Sequence, residues 1–222
     1  MYPWIHCFYL IKQGSNMKIN YKQLAMEIAM KTMATIALGY FSVRVFHDFM
    51  ATKNVVPLLL LVSESITLFL VIFSRFTDTR DFSPIPVIAT IMGTFYFFAI
   101  VLSGGISLIP ETLSAAILII GICWQIYAKI YLGRSFGLLP ACRTVVDTGP
   151  YRLVRHPLYF GYFIGHMAFL LNNFSVWNVE VFVTLYILQF IRMYYEERTL
   201  SKNEQYREYK KRVKYRFIPF VI

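Results

Sequence analysis

The stretch TLSAAILIIGICWQIYAKIYL, residues 112–132, carries one charged side chain, Lys129, in about six helical turns. At about 1.5 Å of rise per residue it is as long as the hydrocarbon core of a bilayer is thick. Working outward, residues 55–73, 86–102, 157–171 and 176–195 have the same apolar character and are broken by polar or Gly/Pro-containing joints. A sixth stretch lies within residues 24–49, where Glu27, Lys31, Arg44 and His47 leave a short uncharged centre and long basic side chains can reach the interface. The whole chain of 222 residues is 57% hydrophobic and 15% charged, against about 25% charged in a soluble domain. These values predict an all-α, polytopic membrane helix bundle of about six transmembrane helices. They exclude a soluble enzyme and a disordered chain.

Basic residues orient such a bundle, because cytoplasmic loops are enriched in Lys and Arg. The N-terminal segment holds Lys12, Lys18 and Lys22, the loop before Pro86 holds Arg75 and Arg80, and the loop after Leu132 holds Arg134, Arg143, Arg152 and Arg155. From Arg192 onward there are nine basic and four acidic residues. The joints at 103–111 and 172–175 have no Lys or Arg, and the joint at 51–54 has only Lys53. Six spans with both termini cytoplasmic satisfy every loop and the net charge of +10.

Cys7, Cys123 and Cys142 are widely spaced, with no CxxC or Cys/His cluster, and read as reduced structural thiols. Residues 1–11 are apolar but short and lack a basic leading region, so they read as neither signal peptide nor span, with Met17 an alternative start. There is no internal repeat. Residues 1–23 are expected to form a cytoplasmic or interfacial segment, 24–131 the N-terminal transmembrane helices, and 132–222 a unit with two further spans and a C-terminal tail.

The joint LGRSFGLLPACRTVVDTGPYRLVRHP, residues 132–157, is too aliphatic for a plain linker. Gly149-Pro150 signals a turn, and Pro157 suits the first turn of the next helix, with His156 pushed toward an extended conformation before it. That geometry puts Arg155 and His156 at a helix N-terminus, where backbone donors favour anions. Beyond it, Tyr159, Tyr162 and His166 share one helix face, and Gly161 and Gly165 form a small-xxx-small pair suited to close helix contact. At the end of the last span Gln189, Arg192 and Glu196 share a face, and the adjacent acids Glu196 and Glu197 ask for cationic partners, either the basic loop or a ligand. Glu64 lies in mid-span between Ser63 and Ser65, as a protonated structural acid, a partner for Lys129, or a substrate-binding group. Gln125 and Lys129 share a helix face.

LGRSF at 132–136, GPYRLVRHPLYFGY at 149–162, EERTL at 196–200 and YREYKKRV at 206–213 together resemble the isoprenylcysteine carboxyl methyltransferase and phospholipid methyltransferase superfamily of integral membrane enzymes. The resemblance covers about 90 residues, from Leu132 to the C-terminus. It implies that 132–222 is a methyltransferase-like catalytic core that binds S-adenosylmethionine on the cytoplasmic side. The cofactor-site residues it suggests are Tyr151, Arg155, His156, Tyr159, Glu196 and Glu197, and the catalytic candidates are Arg155, Arg192 and Glu196. It further implies a bacterial inner-membrane location and a lipid or lipidated acceptor entering laterally, with membrane lipids as surroundings and no nucleic-acid partner. SKNEQ between Leu200 and Tyr206 is shorter than the corresponding segment of many relatives and lacks their Phe-Gly pair.

The end RVKYRFIP, residues 212–219, is also similar to membrane sterol reductases, which share an RHPxYxG-like sequence and use NADPH. Such a reductase is the alternative enzyme class, and a non-catalytic membrane scaffold is the third. Glu196-Glu197 with Leu200 looks like the methyltransferase pattern. Methyl transfer is an in-line displacement that needs proximity and a dry electrostatic site and requires no metal. A carboxylate acceptor needs no base, whereas an amine acceptor must lose a proton, a task for which His166 or Glu64 is available.

Overall fold

The computed structural model describes residues 21–73, 83–132 and 145–221. Lys12, Lys18, Cys7, Cys142, most of LGRSF and the loop arginines Arg75, Arg80, Arg134 and Arg143 lie outside the described residues. The described chain is all-α: α1 (Tyr21–Thr52), α2 (Val56–Ile72), α3 (Pro84–Thr94), α4 (Glu111–Leu132), α5 (Pro157–Asn172), α6 (Val176–Leu200) and α7 (Glu204–Arg212), with 3₁₀ turns at Tyr96–Phe98 and Gly149–Arg152. There is no strand among the described residues, only an isolated antiparallel bridge between Ile106 and Phe174.

Local chemistry sets the helix boundaries. Pro157 opens α5, where its missing N–H costs nothing. The Ser175 hydroxyl accepts from the Asn178 N–H to start α6, and the Asn203 side chain caps α7. Gly149 has φ +57°, and a Cβ there would sit 2.7 Å from the ring of Tyr131, so the turn before α5 needs glycine twice over.

Three helices are long and apolar enough to cross a membrane: Leu24–Thr52 within α1, Glu111–Leu132 and Val176–Leu200. α2 and α5, of 17 and 16 residues, are shorter. The expected span over 86–102 is not one helix, since α3 stops at Thr94 after 11 residues. The chain continues through the 3₁₀ turn into irregular backbone, which in an apolar environment must find hydrogen-bond partners. Arg44 of α1 supplies them, donating from Nη1 to the carbonyls of Phe97 and Phe98 and from Nη2 to that of Ile100. Asn178 pairs with the amide and carbonyl of Val101, and Asn173 accepts from the Gly105 N–H.

The helices alternate in direction. At one end the three joints poor in basic residues meet: Asn54 bonds Asn172 at 2.7 Å, the Val55 N–H donates to Glu111 at 2.7 Å, and Ile106 bridges Phe174. Lys31, early in α1, reaches the carbonyl of Ile72 at the end of α2, toward the opposite end. The core holds Phe41, Val45, Leu60, Phe97, Phe169 and Phe182, all fully or nearly fully buried. Ile36, Phe46, Phe69, Ile120, Ile130 and Ile187 are exposed on the outer helix faces, the distribution expected where lipid replaces water. The long apolar helices and their exposed hydrophobic faces mark an integral membrane protein.

The tightest packing joins α4 to α5. A Cβ on Gly161 would lie 2.5 Å from Gln125 Cγ and 3.2 Å from the Gly121 carbonyl, so the two helices approach backbone to backbone. The small-xxx-small pair is thus a packing device, with Gly161 the stricter position. Gly161→Ala is expected to lower stability by about 1–3 kcal/mol through overpacking. Gly165→Ala, whose Cβ would meet nothing closer than Leu118 at 4.0 Å, is expected to be near neutral. Thermal unfolding of the purified variants in one detergent checks the contrast.

Candidate active site

The basic end of the bundle encloses a cavity of about 170 Å³ bordered by α1, α2, α3, α5, α6, α7 and the turn at Gly149–Arg152. Tyr151, Arg155, His156, Tyr159, Arg192 and Glu196 all line it, so six of the seven residues singled out in the sequence converge on one space. The helical spacings explain the convergence. Tyr159, Tyr162 and His166 on α5 face Gln189, Arg192 and Glu196 on α6, and all six border the cavity.

The seventh residue, Glu197, stands behind this wall. Its side chain is 3% exposed, whereas that of Glu196 is 37% exposed. Adjacent helical residues point about 100° apart, and the two acids have accordingly separated into different environments. The Glu197 carboxylate gathers four basic side chains: His156 Nε2 at 3.2 Å, Arg155 Nε at 3.3 Å, Arg216 Nε at 3.1 Å and Lys210 Nζ at 3.1 Å. Arg216 also donates from Nη2 to the second oxygen at 3.3 Å. Arg155 Nε makes an ion pair there without the alignment of a hydrogen bond.

Glu196 faces the cavity side. Tyr159 Oη donates to its Oε2 at 3.4 Å, a long contact, and His156 Nδ1 lies 4.0 Å from the same oxygen. The Arg192 guanidinium sits 5.7 Å from the centre of the Tyr159 ring, in cation–π range, and donates to Gln189 Oε1 at 3.2 Å. His156 therefore stands between the two acids, one nitrogen toward each.

The tail folds back onto this end. The amides of Arg155 and His156 donate to the carbonyls of Tyr215 and Arg216 at 3.0 and 2.9 Å, so two backbone donors expected to be open to an anion are taken by the tail. Tyr209 Oη donates to the Tyr151 carbonyl at 2.8 Å, and Arg212 pairs with Asp147 at 2.7 Å. Burial pushes the hydroxyls of Tyr151, Tyr206 and Tyr209 well above the usual phenol range, so all three remain protonated. Phe217 is buried among Phe160, Phe163, Tyr186 and Phe190. Lys210, Arg216, Tyr206 and Tyr209 were not singled out as site residues in the sequence, although the density of aromatics in YREYKKRVKYRF was a signal that this tail packs.

A second polar group lies deeper along the cavity. Glu64 accepts from Tyr96 Oη at 3.0 Å, Tyr96 Oη meets His166 Nε2 at 2.9 Å, and His166 Nδ1 meets Tyr186 Oη at 2.8 Å. Lys129 makes no direct ion pair with Glu64, although the two charges attract. Its Nζ donates to Thr67 Oγ1 at 3.2 Å and Gln125 Oε1 at 3.4 Å, over the ring of Tyr162.

The fold and site thus define an integral membrane protein whose basic end holds a closed-over, aromatic and acidic cavity. Residues 105–208 match the family model of phospholipid methyltransferase, part of the superfamily that also holds the isoprenylcysteine carboxyl methyltransferases. The matched region takes in α4, α5, α6 and the start of α7. No curated protein matches the chain significantly. The match supports transferase activity over the reductase and scaffold alternatives.

The ion cluster yields a direct expectation. Glu197→Gln, which keeps the shape but removes the charge, is expected to speed hydrogen exchange at the amides of Arg155 and His156 by tenfold or more, because the tail that covers them loses its anchor. Arg207→Ala removes an ion pair with Glu204 in which both side chains are more than half exposed, and is expected to leave those amides unchanged. Exchange mass spectrometry on the two variants measures the difference.

Proposed function

We propose that this protein is an S-adenosylmethionine-dependent methyltransferase of the membrane, acting on a lipid or lipidated acceptor from a cytoplasm-facing site. The observation that carries the reading is the meeting of the RHPxY residues and Glu196 on one cavity within the region that matches the family. The residues suit that cofactor. A half-exposed carboxylate, Glu196, complements an ammonium group or ribose hydroxyls, and Tyr151, Tyr159 and Tyr206 provide aromatic faces for a purine and a sulfonium. When bound, the cofactor supplies an electrophilic methyl group on a positively charged sulfur.

The chain's own residues then act by placement. Tyr151, His156, Tyr159 and Glu196 would hold the cofactor, and Arg192, fixed by Gln189 and stacked on Tyr159, would orient the anionic part of a ligand. Arg155 lines the cavity while tied to Glu197, so its guanidinium presents a fixed charge and not a mobile one. Glu197 acts as a positioning residue, because its contact with His156 Nε2 leaves Nδ1 directed at Glu196. The tail excludes water, which strengthens these interactions. The acceptor's apolar chain would lie along Ala34, Leu38, Leu68 and Val71, the apolar part of the lining contributed by α1 and α2.

In this reading six helical segments cross the inner membrane of a bacterial cell, with both termini cytoplasmic. The loop-by-loop bias of Lys and Arg and the gathering of the three joints poor in basic residues at one end support it. A reporter fused after Ile222 is expected to register as cytoplasmic, and a non-cytoplasmic signal would reject the assignment.

Calorimetric titration with S-adenosylhomocysteine tests the site. His156→Ala and Glu196→Gln are each expected to weaken binding tenfold or more in folded protein. Truncation after Lys202 is expected to abolish binding while the helices remain inserted. A truncated protein that binds with full affinity would reduce the tail to a surface anchor.

A further inference from the structure

The middle of the cavity holds a hydroxyl whose proton can be assigned. Thr67 on α2 makes three hydrogen bonds through Oγ1: to the Ser63 carbonyl at 3.0 Å, with Lys129 Nζ at 3.2 Å and with Tyr162 Oη at 2.9 Å. A threonine hydroxyl has one proton to give and two lone pairs to accept with, whereas an ammonium only donates and a carbonyl only accepts. Thr67 therefore gives its proton to Ser63 and accepts from both Lys129 and Tyr162, which fills its capacity. The opposite sense, with Thr67 donating to Tyr162, would strand the Tyr162 proton, since no other acceptor among the described residues meets that hydroxyl. A donor left unpaired in an apolar bundle is costly.

The consequence falls on Tyr162. Its proton is spent on α2, so toward everything else its oxygen is an acceptor only. Among the described residues no N–H or O–H donates to that oxygen, and Tyr162 borders the cavity. Its position gives this meaning. Tyr162 follows Tyr159 on the α5 face that carries the cofactor-site candidates, with ring centres 6.5 Å apart. Its hydroxyl reaches across to α2, whose Leu68 and Val71 belong to the apolar lining. Tyr162 thus joins the wall that would hold the methyl donor to the wall that would hold the acceptor's apolar chain, and reacting groups must meet between them. Lys129 stands over the Tyr162 ring, but its ammonium is turned into Thr67 and Gln125.

We propose that Tyr162 selects the charged methyl donor: its hydroxyl oxygen, fixed as an acceptor by Thr67 and Lys129, receives the electron-poor C–H groups of the sulfonium methyl. The proposal rests on the methyltransferase reading and deepens it. A methyl on a positively charged sulfur has polarised hydrogens, which an oxygen lone pair attracts in the manner of a weak hydrogen bond. The thioether left after transfer has neither the charge nor the methyl. A thioether sulfur is itself a weak acceptor, so a tyrosine proton turned into the cavity would favour the spent product. The bond to Thr67 keeps that proton away and sets the preference for the loaded donor.

The test titrates full-length protein in detergent, by calorimetry, with S-adenosylmethionine, S-adenosylhomocysteine and sinefungin. In sinefungin a carbon bearing an amino group replaces the sulfur and its methyl, so the analogue is cationic there and cannot transfer a methyl. The readout is the ratio of affinities within one variant, which a general loosening of the cavity does not move. Tyr162→Phe is expected to weaken S-adenosylmethionine about threefold or more and sinefungin about tenfold, with S-adenosylhomocysteine kept within about twofold. Thr67→Val, which keeps the tyrosine but removes its acceptor, is expected to lower the same ratios. Thr67→Ser, which restores the hydroxyl, is expected to hold them at wild-type values.

Affinities for S-adenosylmethionine and S-adenosylhomocysteine that fall together in Tyr162→Phe, or that both stay unchanged, would overturn the proposal. So would a wild-type ratio in Thr67→Val, and that variant decides alone if Tyr162→Phe yields no folded protein. Failure of the wild-type protein to bind S-adenosylhomocysteine is a separate result that would overturn the methyltransferase reading.

Discussion

The carboxylate of Glu197 is the point on which the basic end of this protein depends. It joins three pieces of chain that are distant in sequence: Arg155 and His156 before α5, Glu197 itself near the end of α6, and Lys210 and Arg216 of the tail. A single buried acid amid four basic groups cannot be exchanged for a neutral residue without leaving several cations uncompensated, and breaking buried pairs costs about 3–5 kcal/mol. Arg155, Lys210 and Arg216 together carry more positive charge than the one carboxylate they surround.

The opposite end is built from neutral hydrogen bonds. Asn54, Asn172, Asn173 and Asn178 serve the amides and carbonyls of segments that leave helical geometry there. The Trp177 indole donates to the carbonyl of Ala99, and the Trp124 indole donates to that of Pro157 near the other end. Side-chain amides supply donor and acceptor together, so each asparagine can satisfy broken backbone on both counts. This explains how the α3 region can end its helix early without orphaned carbonyls. Arg44 completes the arrangement, and a cation aimed at three carbonyls at the C-terminal side of a helix is also favoured by the helix dipole.

The apolar stretches and the helix faces were legible in the sequence because both follow from local periodicity. Gln189, Arg192 and Glu196 were expected to share a face and do line one cavity, as do Tyr159, Tyr162 and His166. The separation of Glu196 from Glu197 followed from helical geometry, but which of them would be buried did not, since that depends on where Arg216 and Lys210 arrive from the tail. The break in α3 was hidden for a related reason. Residues 95–102 are as apolar as a helix interior, and the groups that let them depart from it sit in α1 and α6. Lys129 was a reasonable partner for Glu64 by hydropathy, yet Thr67, one turn further along α2, intercepts its ammonium. Contacts within one helix were readable, and contacts among three were not.

The two acidic groups on the cavity differ in a way that fits a division of labour. Glu196 is half exposed at the end of α6, where water and the basic tail screen its charge, so it can exchange partners at low cost. Glu64 is held within the bundle by the Tyr96 hydroxyl, which meets His166 and through it Tyr186. Between them lie Tyr159 and Tyr162, whose ring centres are 6.5 Å apart and which line the same space. Each ring already has a cation in range, Arg192 at Tyr159 and Lys129 at Tyr162. The cavity therefore has a half-exposed acid at one end, an aromatic middle and a more buried acid at the other.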